Sequence, residues 1–246
     1  PSDTNSNYKT VEVANAKDLL NNIKSNTRIV LTGKTYNLTE VLNVTNPSIM
    51  MTHEYDGVEY VITNVNNLII EPKNGVSATL LVEPRYSNVL PFKNCKNIII
   101  KGITAGHTTE KGYCVGGVIN LVDTSDVTIE NCKLYGCGTY GIICDKASNV
   151  TALNTEIYDC TYGLVDFSNS KNINLKTCIL RDSSEFSMFS IYNCENVKIS
   201  DSKISGNKSD GMFSFISSQD SSNVIFENCN FSNNSYKNFS SDDVNF

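Results

Sequence analysis

Five phrases say nearly the same thing: VTIENCKL (127–134), VTALNTEI (150–157), INLKTCIL (173–180), VKISDSKI (197–204) and VIFENCNF (224–231). Each follows an Asn or Asp, and the starts lie 23, 23, 24 and 27 residues apart. Self-similarity at such a period, in units short enough to be strands, marks a solenoid whose neighbouring coils bury one another's apolar faces. Function then has to be sought on the surface of a stack.

Alternation within the phrases separates inward from outward positions. Val127, Ile129, Cys132 and Leu134 are replaced in the next coil by Val150, Ala152, Thr155 and Ile157, then by Ile173, Leu175, Cys178 and Leu180. Strict period-2 alternation would put 132 on the opposite face from 129, so the chain must bend near Asn131 and make two strands of one. The bend column reads Asn131, Asn154, Thr177, Asp201, Asn228, residues suited to a tight turn and able to bond from coil to coil. A third strand lies upstream, where Ile119 and Leu121 give way to Ile142 and Cys144, Val165 and Phe167, then Phe189 and Ile191. Three short strands per coil is the arithmetic of an all-β, single-stranded parallel β-helix. On this pattern the chain resembles the right-handed parallel β-helix proteins of the pectin-lyase-like class over roughly residues 28–235.

Composition narrows the possibilities. The 246 residues are 40% hydrophobic and 19% charged with a net charge of −6, enough for one sizeable core in one β-helix domain. No Lys/Arg run exists, which argues against nucleic acid as a partner. Apolar runs such as Leu68–Ile70 are too short to span a bilayer. The opening PSDTNSNYKT lacks the pattern of a signal peptide and reads as a mature end or a chosen boundary. Residues 1–27 are expected to form a loose tail and a short amphipathic capping helix, with Ala16, Leu19, Leu20 and Ile23 at helical spacing. Coils fill 28–235, and 236–246 close the far end. Coils at Asn67 and Asn97, spaced 30 residues apart, predict protruding loops around His53–Glu59 and Pro84–Pro91. Nine cysteines, an odd number, do not make a complete disulfide framework. Most read as small buried thiols, whereas Cys137 and Cys160 occupy one place in successive coils and are either stacked thiols or a disulfide.

Two constellations carry candidate chemistry. The irregular loop GHTTEKGYCVGG (106–117) offers His107 and Glu110 as a proton-transfer pair and Tyr113 for sugar stacking, with Tyr140 and Tyr162 on the same edge of the next coils. In the plainer reading His107 bonds a neighbouring turn. Asp145 and Asp166 have outward parity in adjacent coils, offset by two residues, or about 8 Å between Cα atoms. That separation suits the carboxylates of an inverting glycosidase, roughly 6.5–9.5 Å, and equally a shared Ca²⁺, the one cofactor considered. Asn120 and Tyr192 extend the strip. The plainer reading is solvated surface.

The resemblance implies a polysaccharide as partner, a secreted or cell-surface location and, where the class is catalytic, a lyase or glycoside hydrolase; the oligomeric state stays open, with a monomer expected. Its hydrolase signatures N-T-D, D-D, G-H-G and R-I-K reduce here to Gly106-His107-Thr108, and none of Arg28, Arg85 and Arg181 stands in the R-x-P-x-x-R context of the lyases. Catalytic roles are therefore not carried over from the family. The alternative is a non-catalytic carbohydrate-binding or surface-displayed β-helix. Two histidines and no H-E-x-x-H or C-x-x-C spacing disfavour serine, cysteine or zinc hydrolase chemistry.

Overall fold

Stacked coils give three parallel sheets running the length of the chain. The computed structural model describes residues 8–110, 112, 114–136, 139–241 and 243–246. Sheet I holds the strands opened by the repeated phrases, among them Lys96–Lys101, Ser125–Glu130, Ser148–Leu153, Lys171–Lys176, Glu195–Ser200 and Ser222–Glu227. Sheet II is built from shorter strands such as Thr104–His107, Lys133–Tyr135, Glu156–Tyr158 and Ile179–Arg181. Sheet III contains Leu90–Lys93, Ile119–Val122, Ile142–Asp145, Val165–Ser168, Phe189–Tyr192 and Ser214–Gln219. The register is the one the repeats demand: Val127 pairs with Val150, Val150 with Ile173, Ile173 with Val197 and Val197 with Val224.

Inward side chains make continuous columns, each member packed on its counterpart one coil away. Ile100, Ile129, Ala152, Leu175 and Ile199 are all fully buried, as are Leu121, Cys144 and Phe167. Full burial of one aliphatic side chain of this kind is worth about 1.5–3 kcal/mol. Cys132, Thr155, Cys178 and Ser202 form the expected column, with the Cys132 amide donating to Thr155 Oγ1 (3.4 Å) and the Cys178 amide to Ser202 Oγ (3.0 Å). Burial pushes the Cys132 and Cys178 thiols up to about 11, so neither is a ready nucleophile. Cys137 lies outside the described residues, and with it the question of its pairing with Cys160.

The bend residues adopt positive φ: Asn131 (55°), Asn154 (49°), Thr177 (53°), Asp201 (51°) and Asn228 (52°). Asn and Asp tolerate this left-handed region better than other non-glycine residues. A longer ladder stands at the second residue of the sheet I strands. There Asn149 Nδ2 donates to Asp126 Oδ1 (2.8 Å), Asn172 to Asn149 (3.0 Å), Asn196 to Asn172 (3.0 Å) and Asn223 to Asn196 (2.7 Å).

The capping helix is Ala16–Asn22, with Asn15 as N-cap accepting from the Asp18 amide at 2.9 Å. Ala16, Leu19, Leu20 and Ile23 are all buried, closing the first coil. Asn46 Nδ2 holds the other end by donating to Leu20 O (2.7 Å) and Ile23 O (2.6 Å). Three details differ from expectation. Lys9–Val13 is already a strand of sheet I, paired with Thr27–Leu31, ahead of the helix. The region around His53–Glu59 is an antiparallel hairpin, Ile49–Glu54 against Gly57–Thr63, added to the edge of sheet III. Beyond residue 235, Asn238–Ser240 and Val244–Asn245 continue sheets III and I, so the coil runs nearly to the end.

Candidate functional site

Because Ile142 and Cys144, Val165 and Phe167, and Phe189 and Ile191 point into the core of sheet III, the residues between them form an outward strip. One column runs Asn120, Ile143, Asp166, Ser190, Ser217, and the parallel one Val122, Asp145, Ser168, Tyr192, Gln219. Four expected site residues, Asn120, Asp145, Asp166 and Tyr192, thus share one face, with Asp166 and Asp145 in adjacent coils and two residues apart along the strand. Burial raises the Asp166 pKa, the Ser190 side chain opposes this by hydrogen bonding, and the Asp145 charge raises it further. Asp145 Oδ1 accepts from Ser168 Oγ (3.3 Å) and Asn169 Nδ2 (3.0 Å), which tie it into the corner. The two carboxyl groups therefore sit in different environments, Asp166 shifted by its burial and Asp145 bonded to the corner. Asn120 Oδ1 is buried without a partner; its register neighbours, Pro91 and Ile143, have no side-chain donor to offer.

Alongside this strip, in the turns leading from sheet II into sheet III, runs a row of aromatic rings one coil apart. Tyr140 meets Tyr162 edge-on with centroids 6.4 Å apart, Tyr162 lies 4.5 Å from Phe186, and Phe186 lies 4.9 Å from Phe213. All four are partly exposed. Backbone bonds set the spacing, with the Tyr162 amide donating to Thr139 O (2.9 Å) and the Phe186 amide to Tyr162 O (3.0 Å). Gly163 lets the turns close: a Cβ there would stand 2.3 Å from Ser187 O and 2.8 Å from the Tyr140 ring. Burial, and then the charges of Asp166 and Tyr162, raise the Tyr140 pKa, which ties the row electrostatically to the acid pair. Tyr140 and Tyr162 were expected on this edge, whereas Phe186 and Phe213 escaped the sequence reading. Counting back three residues from an inward position of sheet III finds them, Val165 leading to Tyr162, Phe189 to Phe186 and Ile216 to Phe213, whereas Tyr140 stands two before Ile142.

His107 and Glu110 do not join this site as a proton-transfer pair. His107 ends its sheet II strand in register with inward-facing Val82 and is only 2% exposed. Its Nε2 lies 2.9 Å from Ser87 O. A carbonyl only accepts, so Nε2 carries the proton and Nδ1 keeps a lone pair, buried without a partner. Burial lowers the His107 pKa against the opposing pull of the Ser87 bond and the Asp56 charge. The ring is thus neutral and packed beneath a bracket of turns in which Glu59 accepts from Asn88 Nδ2 (2.8 Å) and Asn88 Oδ1 accepts from the Gly117 amide (2.8 Å). Glu110 lies on the exposed part of the loop. Tyr113 lies outside the described residues.

Among the described residues no group of three or more His, Cys, Asp and Glu side chains is placed to hold a metal ion. Asp145 and Asp166 alone fall short of the six to eight oxygens Ca²⁺ takes. An open hollow of about 510 Å³ lies at the corner between sheets III and I, lined by Lys146, Asn169, Lys171, Asn193, Glu195 and Asp220 among others. Its asparagines bond one another along the stack, Asn193 to Asn169 at 2.8 Å, which marks it as a structural corner.

Residues 61–190 and 116–245 match the family model described as the right-handed β-helix region, and the chain belongs to that family. Among solved structures it is similar to pectate lyase Pel9A, with a TM-score of 0.57 at 14% identity over 84% of this chain and 57% of that one. The chain therefore spans little more than half of Pel9A. It is also similar to pectate lyase Bsp165PelA from Bacillus sp. N165, solved in complex with trigalacturonate, with a TM-score of 0.53 at 11% identity over 94% of this chain and 83% of that one. Identities this low speak for the fold alone. No curated protein sequence matches the chain. No helix among the described residues is long and apolar enough to cross a membrane.

Proposed function

We propose that this protein binds an extended polysaccharide along its axis, in the strip of sheet III bordered by the Tyr140, Tyr162, Phe186 and Phe213 rail. The observation that carries this is the rail itself: partly exposed rings in four successive coils, next to a column of small polar side chains and a carboxyl group of raised pKa. Aromatic rings offer apolar faces to the C–H faces of pyranoses, while Asp166, Ser190 and Ser217 supply hydrogen-bonding groups. The two similar structures are pectate lyases, and the second was solved with a galacturonate oligomer, which supports a glycan as the ligand class.

On this reading a catalytic version uses Asp166, whose pKa burial raises, as general acid and Asp145 as base, the division of roles found in an inverting hydrolase. The second reading is a non-catalytic, secreted or surface-displayed binder, favoured by the hydrogen bonds that tie Asp145 to Ser168 and Asn169 and by the sealed position of His107. A glycan array, followed by reducing-end and unsaturated-product assays on the glycans retained, separates the two. Hydrolysis predicts reducing ends that vanish in Asp166→Asn at glycan concentrations that still saturate the variant. Binding with no product of either kind selects the binder. Activity that persists in Asp166→Asn, Asp145→Asn and His107→Ala alike would remove the acid pair from the chemistry.

A further inference from the structure

We propose that the rail side takes a cationic glycan, a pyranose chain carrying free amino groups, and not a polyuronate. This deepens the polysaccharide reading above and rests on it. Any ligand on the rail must meet a surface of strongly negative charge. In the four coils that supply the rings, the turns from sheet II and the sheet III strands they enter carry six carboxylates (Asp145, Asp159, Asp166, Asp182, Glu185 and Asp210) against one cation, Lys208. With Arg181 set against Asp182, the surplus is four negative charges, two thirds of the net charge of −6. Arg181, just before these turns, spends its guanidinium on Glu156 (2.7 Å) and Asp182 (2.5 Å) and stacks 4.5 Å over Tyr158 on sheet II. On the opposite margin Lys146 and Lys171 share their corner with Glu195 and Asp220.

A polyuronate brings one negative charge per sugar and would lay that row against carboxylates, an arrangement that electrostatic complementarity disfavours. An amino-bearing chain reverses the sign of every such encounter. Its ammonium groups have two kinds of partner within the same strip: the carboxylates, and the faces of Tyr140, Tyr162, Phe186 and Phe213, which attract cations through the ring quadrupole. The rise per coil, about 4.8 Å, is close to the length of one pyranose unit, so the rings recur in step with the sugar.

The experiment is equilibrium binding of three length-matched oligosaccharides: a glucosamine oligomer, its N-acetylated neutral counterpart, and a galacturonate oligomer measured with and without CaCl₂. The glucosamine oligomer is expected to bind tightest and to weaken as salt rises. The double variant Asp145→Asn/Asp166→Asn should lose about tenfold in affinity for it. Glu130→Gln, which removes one carboxylate from the outer face of sheet I, should lose none. Thermal unfolding of each variant confirms that the coil is intact. Galacturonate binding as tight as or tighter than the amine, with or without Ca²⁺, overturns the inference and leaves the polysaccharide reading standing. Equal, salt-independent binding of the neutral oligomer does the same. Failure of all three oligomers to bind overturns both.

Discussion

At the corner where sheet III passes into sheet I, seven successive coils turn on a single residue of positive φ: Asn64, Asn94, Asp123, Lys146, Asn169, Asn193 and Asp220, all between 46° and 60°. On the side where sheet II passes into sheet III, the connections after His107, Tyr135, Tyr158, Arg181 and Ser205 hold eleven, six, six, seven and eight residues. The corner repeats because each residue there serves the stack. The backbone makes the turn, and where the corner carries asparagine the side chain bonds along the stack, Asn94 to Asn64 at 2.9 Å and Asn193 to Asn169 at 2.8 Å. The other side varies because a surface connection of any modest length closes at little cost in loop entropy. Freedom in length lets that side carry rings, acids and an insertion without disturbing the core. In this solenoid regularity marks stability and irregularity marks the place where a ligand is met.

The comparison is broken most directly at Asn172. Its Nδ2 donates to Asn149 and its Oδ1 accepts from Asn196, and its φ is 56°. Asn172→Ala removes two side-chain bonds, each worth about 0.5–1.5 kcal/mol, and puts alanine where the left-handed region costs about 1–2 kcal/mol. A loss of about 3 kcal/mol in chemical unfolding is expected, with no change in ligand binding. Asn172→Gly keeps the backbone preference and should cost less, so the difference between the two variants separates turn geometry from amide stacking. Equal losses would show that the ladder bonds alone matter.

A smaller effect sharpens the comparison through pH. Two groups near the variable turns are held toward their neutral forms by burial, with opposite consequences. The Asp166 pKa is raised in the folded state, so its favourable contribution is complete below the ordinary value near 3.8 and is lost as pH rises through the folded value. Asp166→Asn should therefore be more stable than the parent at neutral pH, and the advantage should vanish in acid. The His107 pKa is lowered, so the unfolded chain takes up its proton first and stability falls as pH drops below about 6.5. His107→Gln should flatten that limb. Unfolding midpoints measured across pH for the parent and both variants test the pair. If Asp166→Asn destabilised the protein at neutral pH, the carboxylate would be a structural partner and not a strained surface acid.

Most of the architecture was legible because the stack writes its contacts into sequence spacing. Val127, Val150 and Ile173 are neighbours in space because they are 23 residues apart. Asp145 and Asp166 could be placed on one face from parity alone. The hairpin Ile49–Glu54/Gly57–Thr63 was not legible, since its antiparallel pairing belongs to no repeat. Of the two readings of His107, the bond to a neighbouring turn is the one seen, at Ser87 O, because the residue closes a strand whose inward partner is Val82. Phe186 and Phe213 were missed because counting forward from sheet I accumulates the unequal turn lengths, while counting back from sheet III does not.

The smallest effect on stability should accompany the largest effect on binding, at Phe213. This ring is partly exposed and meets Phe186 at 4.9 Å near the last full turn of the rail. Phe213→Ala should cost about 1 kcal/mol, the scale of one aromatic pair beyond its burial, because the core below it is held independently by Phe215 and Ile216, both fully buried. Tyr162→Ala, removing a ring in contact with two others, should cost somewhat more. If the rail is a glycan platform, both variants lose affinity for long oligomers, and Phe213→Ala keeps its affinity for oligomers too short to reach its coil. If instead the four rings only seal the variable turns, the two variants lose stability, bind every oligomer as the parent does, and the distinction between a structural corner and a ligand-bearing side collapses.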